Sequence, residues 1–138
     1  MNVAFFLKPK QEVAYIYDDF TLRQTVEKMK VCGYTAIPVI TREGKYAGTV
    51  SDGDILWAAL KIDEGNSTGS VIRAMEKYPV TRIIKTDRYK SVNFTADIEK
   101  LFSIVLNQNF VPVTDDTGSF SGIVTRSSVM HYFMTNPG

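Results

Sequence analysis

The sequence is poor in the residues that staple small folds, bind metals or enter membranes. Its one cysteine, Cys32, has no partner in the chain, so a disulfide framework and a cysteine-based zinc site are both excluded. A reducing cytoplasm is the compartment that fits. Net charge is nearly absent: sixteen basic residues stand against fifteen acidic ones, leaving +1. No segment packs Lys and Arg densely enough to follow a phosphate backbone, which argues against nucleic acid as a partner. Apolar runs are short. Val-Ala-Phe-Phe-Leu at 3–7 is cut off by Lys8-Pro9-Lys10 before it reaches signal-peptide length, and nothing approaches the roughly 20 apolar residues of a membrane span.

What remains is ordinary globular material: 138 residues, 44% apolar and 22% charged, enough for one sizeable core or two small ones sharing an interface. Val13 to Tyr17 reads as a short strand ending at Asp18-Asp19. A helix follows, capped by Thr21, with Leu22, Val26 and Met29 at helical spacing and Gly33 as its stop. Ala36-Ile37-Pro38-Val39-Ile40, a turn at 41–44 and the return run 46–50 make a β-hairpin. Ile55 to Leu60 then reads as a second helix, with a Ser/Asp cluster at its start.

The order strand, helix, hairpin, helix then repeats. Pro38, Gly44 and Gly48 recur as Pro112, Gly118 and Gly122 at a constant offset of 74 (112 minus 38, 118 minus 44, 122 minus 48), and Val39 and Val50 match Val113 and Val124. Upstream the phases agree after a shift of about two residues, which sets Val92 on Ile16 and Ile98, Phe102 and Val105 on Leu22, Val26 and Met29. This is an internal duplication. The fold class expected is α/β (α+β), with a first unit over 1–62 including the N-terminal segment, a linker over 63–78 and a second unit over 79–138. The linker rests on the small polar run 63–70, although Val71 to Lys77 also has the pattern of a short helix before Pro79. Neither copy buries much surface alone, so the two are expected to pack together.

Each copy carries the same short pattern where the hairpin's return strand meets the next helix. In the first it is Gly48-Thr49-Val50-Ser51-Asp52-Gly53-Asp54, and in the second Gly122-Ile123-Val124-Thr125-Arg126-Ser127-Ser128. A hydroxyl at the end of a strand, together with the free N–H groups of the following helix's first turn, suits a phosphate. A carboxylate three residues on lies about one turn along, where it can accept both hydroxyls of a ribose. Taken once, Ser51 and Thr125 read better as plain helix caps and Asp54 as a favourable first-turn charge. Recurrence at one distance from the proline-containing strand raises the binding reading.

The chain here resembles the CBS domains, which occur in tandem as Bateman modules. The resemblance runs from about Val13 to Phe133 and rests on Tyr34-Thr35-Ala36-Ile37-Pro38-Val39 with the first junction, and on Asn109-Phe110-Val111-Pro112-Val113 with the second. It implies two βαββα units paired through their sheets, and two clefts that hold AMP, ADP, ATP, S-adenosylmethionine or a cyclic adenine dinucleotide. Carried over by position, Asp54 takes the ribose in the first cleft, with Ser51 and Thr35 near phosphate and the adenine against Tyr89, Lys90, Gln108 and Asn109. In the second cleft Thr125, Arg126 and Asn109 face phosphate, and Val13, Ala14, Tyr34 and Thr35 line the adenine pocket. One departure is plain: Ser128 stands where the family has its ribose aspartate, so the second cleft should hold ribose more weakly or bind something else.

No catalytic set stands out. His131 lies in a presumed helix with no nucleophile or carboxylate at a motif spacing, and reads as a surface or packing residue. Asp52 and Asp54 lack the further ligands a metal site needs, and Cys32 reads as a small hydrophobe beside Gly33. The aromatics Phe5, Phe6, Tyr15, Tyr17 and Phe20 read as core and dimer surface, since no basic residues interleave with them. The expectation is therefore a non-catalytic adenine-nucleotide sensor without a metal or catalytic cofactor. It would be a homodimer covering Trp57 and the Phe5-Phe6 segment, and would act on an unidentified protein. A purely structural dimerising module, a cyclic di-AMP receptor and a nucleotide hydrolase or transferase are the alternatives.

Overall fold

A computed structural model describes residues 2–63, 68–84 and 89–136. The chain divides into two compact units that do not follow the copies in simple order. One comprises Ala14–Glu43 and Ala47–Thr86 and holds the first copy; the other comprises Met1–Val13, Gly44–Tyr46 and Asp87–Gly138 and holds the second.

In the first-copy unit, β2 (Ile16–Tyr17) lies parallel to β3 (Ala36–Ile40), pairing Ile16 with Val39, and β4 (Tyr46–Ser51) completes a sheet of order β2-β3-β4. Helix α2 (Leu22–Cys32) joins β2 to β3 and starts with a reciprocal cap. Thr21 Oγ1 accepts from the Gln24 N–H at 3.2 Å, and Gln24 Oε1 accepts from the Thr21 N–H at 2.9 Å. Gly33, at φ 71°, ends it in the left-handed conformation that a side chain would oppose. Helix α3 (Asp52–Asp63) follows β4, and α4 (Thr68–Lys77) packs against α2 and α3. The core joins Ile16, Leu22, Met29, Ile37, Val39, Val50, Ile55 and Ala58 with Val80 and Ile83.

The second-copy unit repeats the plan with α5 (Ile98–Val105), α6 (Arg126–Thr135) and a sheet in which the N-terminal strand β1 (Lys8–Pro9) lies at one edge, beside the three strands of the copy itself. Here β5 (Val92–Asn93) runs parallel to β6 (Phe110–Thr114) with Val92 opposite Val113, the counterpart of Ile16 opposite Val39. Strand β7 (Phe120–Thr125) is antiparallel to β6, and Pro112 lies opposite Ile123. Prolines 38 and 112 sit inside strands because β2 and β5 stop short of them, so the missing N–H breaks no ladder.

At two places the packing crosses the bounds of the copies. The N-terminal segment, grouped above with the first copy, packs in the second-copy unit. Val3 and Phe6 of α1 (Val3–Phe6) enter a core with Leu101, Val105, Val111 and Val124, and β1 (Lys8–Pro9) pairs antiparallel with β7. Phe6 is thus buried core, while Phe5 is exposed. The span 63–78 is not simply a linker, since it contains α4, and residues 79–84 complete the first-copy core; residues 64–67 lie outside the described ones. Both segments end alike, with a proline capping a 3-10 turn, Pro9 before Lys10–Glu12 and Pro79 before Val80–Arg82. Each copy is therefore preceded by a helix, a proline and a 3-10 turn that pack in the other copy's unit, a feature that periodicity within the copies does not report.

The first hairpin's turn also belongs to the second-copy unit. Lys45 Nζ donates to the Thr117 carbonyl at 2.7 Å, the Phe120 N–H donates to the Gly44 carbonyl at 2.9 Å, and the Tyr46 and Phe120 rings stack at 6.2 Å.

Candidate functional site

The site is two strand-to-helix junctions built on one backbone plan. At the first, β4 runs into α3 through Ser51. Ser51 Oγ accepts from the Asp54 N–H at 3.1 Å, and Asp54 Oδ2 accepts from the Ser51 N–H at 2.9 Å, which satisfies two donors at the helix start. The next residue, Asp52, donates its N–H to the Thr35 carbonyl at 2.8 Å and so ties the junction to the chain entering β3. Asp54 is 6% exposed, and its carboxylate is fixed in place by this reciprocal bond.

At the second junction the Arg126 N–H donates to the Asn109 carbonyl at 2.8 Å, again 74 residues on from Asp52 and Thr35 (126 minus 52, 109 minus 35). Thr125 Oγ1 accepts from the Ser128 N–H at 3.1 Å, as Ser51 does from Asp54. The side chain at the third helical position then departs from the plan. Ser128 Oγ donates to the Thr125 carbonyl at 2.9 Å and turns back onto its own helix. Arg126 Nε donates to the Val105 carbonyl at 2.9 Å, which holds the guanidinium over the end of α5.

The structure brings some of the sequence candidates together within each unit. Asn109, Thr125 and Arg126 line one cavity of about 510 Å³ together with Ser127, Met130 and His131. Tyr34 and Asp52 line a second cavity of about 430 Å³ in the first-copy unit, where Val26, Met29 and Ile55 supply an apolar floor. Asp54 lines a third of about 80 Å³ with Trp57, Lys61, Tyr78 and Arg82. Ala14 and Tyr34 are half-buried against the first-copy core, and Thr35 is exposed. Val13 is buried in the second-copy unit, where its N–H donates to the Lys10 carbonyl at 3.1 Å.

Gln108 has a structural task. Its Oε1 accepts from the Lys90 N–H at 2.7 Å, and its Nε2 donates to the carbonyls of Lys90 and Phe110 at 3.0 and 3.1 Å. The amide clamps the approach to β5 against the start of β6, and beside it Tyr89 is half-buried and Lys90 exposed. His131 was set aside on sequence grounds, and the structure puts it on a cavity wall. Sequence reasoning also missed Lys61 and Arg82. Lys61 was legible, since it lies seven residues after Asp54 and shares its helical face. Arg82 was not, because only the return of residues 78–83 to the first-copy unit brings it there. Among the described residues no three His, Cys, Asp or Glu side chains converge as metal ligands, and no helix is long and apolar enough to cross a membrane.

Comparison with known proteins gives a consistent picture. The model of the CBS domain matches residues 7–61 and again 80–135. The cyclic di-AMP receptor B of Bacillus subtilis (strain 168) is 25% identical over 129 residues, spanning 94% of this chain and 84% of that protein. The crystal structure of Listeria monocytogenes CbpB in complex with cyclic di-AMP superposes with a TM-score of 0.83 at 25% identity, covering 96% of this chain and 95% of that one. A hypothetical conserved protein from Geobacillus kaustophilus gives a TM-score of 0.85 at 25% identity, covering 98% and 97%.

Proposed function

The chain belongs to the CBS-domain family as a tandem pair, and from that premise we propose that it is a regulatory module that binds an adenine nucleotide and passes its occupancy to a partner protein. The observation that carries this is the repeated junction: a hydroxyl at a helix start, tied through the next residue's N–H to the carbonyl of Thr35 in one copy and of Asn109 in the other. The first-turn N–H groups are largely taken by these bonds, and the junction offers an anion the hydroxyl's own proton at the positive end of a helix. Asp54 adds the ribose acceptor in the first copy alone. A relative named a cyclic di-AMP receptor and a neighbour crystallised with cyclic di-AMP support trying that dinucleotide before AMP, ADP, ATP and S-adenosylmethionine.

Binding acts on a partner only as far as the ligand's affinities for two shapes of the module differ, so no reaction is needed. Incubation with ATP and analysis of the products tests that part: turnover would overturn it. A second copy is the expected structural partner. Leu56 and Leu60 on α3, and Met130 and Met134 at the same positions of α6, are exposed. Light scattering should show about twice the 15.5 kDa chain mass, and a clean monomer would remove the dimer. The compartment that fits is the cytoplasm.

The deciding experiment is a thermal-shift panel of cyclic di-AMP, AMP, ADP, ATP and S-adenosylmethionine. A ligand at a hundredfold excess over its dissociation constant stabilises the fold by about 2.7 kcal/mol. If none moves the melting temperature, the purely structural reading takes over, since the Ser51–Asp54 pair also works as a helix cap.

A further inference from the structure

The 80 Å³ cavity of the first-copy unit holds chemistry that a single ribose acceptor does not require. Asp54 and Lys61 lie on one face of α3, two turns apart, and both line this cavity. Arg82 comes to the same cavity from the 3-10 turn after Pro79, with its guanidinium centre 5.1 Å from the middle of the Tyr78 ring. Among the described residues neither Lys61 nor Arg82 has a carboxylate within ion-pair distance. Two cations thus face one small space beside a nearly buried carboxylate. At about 80 Å³ the space is well below the roughly 300 Å³ at which ligand-sized pockets begin. A small oxyanion suits it, and two cationic donors recognise such a group well.

The second copy lacks this arrangement. Counting 74 residues on, Lys61 becomes Thr135, whose hydroxyl donates to the His131 carbonyl at 2.9 Å, and Asp54 becomes Ser128.

We propose that the Asp54–Lys61–Arg82 cavity is a phosphoryl-binding subsite, so that the first-copy site prefers an adenine nucleotide with phosphoryl groups on both sides of its ribose. This rests on the reading of Asp54 as the ribose acceptor, which for such a ligand accepts from the 2′ hydroxyl alone, while Lys61 and Arg82 offset the phosphoryl charge beside it. A 5′-phosphate lies on the Ser51 side of Asp54, and the cavity receives the group carried on the 3′ oxygen. A 3′,5′-linked adenine dinucleotide meets the requirement, and adenosine 3′,5′-bisphosphate is the simplest probe of it.

Titration calorimetry of wild type and of the double variant Lys61→Met with Arg82→Met, using 5′-AMP and adenosine 3′,5′-bisphosphate, tests the proposal. Wild type should bind the bisphosphate at least ten times more tightly than 5′-AMP. The double variant should lose that advantage while its affinity for 5′-AMP stays within twofold. Both side chains are exposed, so the fold should survive, and the single variants Lys61→Gln and Arg82→Gln should each lose part of the advantage. A bisphosphate advantage absent in wild type, or kept in the double variant, overturns the subsite and leaves the nucleotide site standing. Failure of wild type to bind either nucleotide or cyclic di-AMP sinks the nucleotide reading itself, and the subsite with it.

Discussion

At the first junction the third helical position holds Asp54, a carboxylate anchored by the Ser51 N–H; at the second it holds Ser128, whose hydroxyl is spent on the Thr125 carbonyl. The backbone around both is the same, down to the bond from the next residue's N–H to the carbonyl 17 positions earlier (52 minus 35, 126 minus 109). Duplication has kept the frame and let the chemistry drift. The difference teaches that the backbone plan serves the fold in both copies, whereas ligand contact is read from the side chains set upon it. Removing a shared backbone feature should therefore damage stability, and removing an unshared side chain should damage binding.

The largest effect is expected at a shared feature, the glycines at φ 149°, Gly48 and Gly122. Any side chain is strained at this φ, but the surroundings differ. A Cβ on Gly122 would run into the Lys8 carbonyl oxygen of β1, a backbone atom held by strand pairing, while a Cβ on Gly48 would meet the side chain of Ile84. Strain and overpacking each cost about 1 to 3 kcal/mol, so Gly122→Ala should lose about 3 kcal/mol or more and Gly48→Ala distinctly less. Ile84→Ala added to Gly48→Ala should recover part of that loss. Urea unfolding of the three variants measures this, and equal losses at the two glycines would break the distinction between backbone and side-chain neighbours.

Next comes the unshared side chain. A carboxylate accepting ribose hydroxyls makes charge-assisted bonds worth about 1.5 to 3 kcal/mol each, against about 1 for a neutral hydroxyl. Asp54→Ala should weaken nucleotide binding at least tenfold, and Ser128→Ala much less. Asp54 is also half of a helix cap, so its removal should lower stability by about 1 kcal/mol, not enough to unfold the domain. Ser128→Asp should tighten the weaker site if the frame alone suffices there. Titration calorimetry with 5′-AMP reads all three; equal losses from the two alanine variants would remove Asp54 from the site.

How much of this was legible can be judged residue by residue. The prolines and glycines at a constant offset gave the duplication, because each marks a backbone position that few other residues tolerate. The two-residue shift upstream was also legible, and the pairing of Ile16 with Val39 and of Val92 with Val113 matches it. Unit membership was not. Nothing in Val3, Phe6 or Lys8-Pro9 names the strand they join, and Val80 and Ile83 read as the start of the second copy although they fill the first-copy core. Hydrophobic pattern reports that a segment is buried, not against what. For the same reason Arg82 could not be placed beside Asp54, while Lys61 could be placed by helical spacing alone. The amide of Gln108, expected at an adenine, also clamps backbone, a task that no spacing rule reveals.

The smallest expected effect compares two carboxylates, one in each unit, the exposed Asp19 and the half-buried Asp115. The Arg42 guanidinium, bonded to both carboxylate oxygens of Asp19 at 2.7 and 3.0 Å, holds the Asp19 carboxyl below the usual range. Asp115 is held low mainly by the Thr117 hydroxyl and the Ser119 N–H, with Lys45 only a minor contributor. A group whose folded value is depressed stabilises the fold fully above its unfolded value, about 3.9, and loses that contribution as pH falls through the folded value. Both should therefore matter only below about pH 4. Their salt responses should differ, because an exposed ion pair is screened at high ionic strength and hydrogen bonds from neutral donors are screened little. In acid unfolding at low salt, Asp19→Asn and Asp115→Asn should each flatten the fall in stability below pH 4. In about 1 M salt, where the screening length is near 3 Å, the Asp19→Asn difference should shrink while the Asp115→Asn difference persists. If both shrink alike, Asp115 is governed by Lys45 and not by the turn that Thr117 and Ser119 form around it.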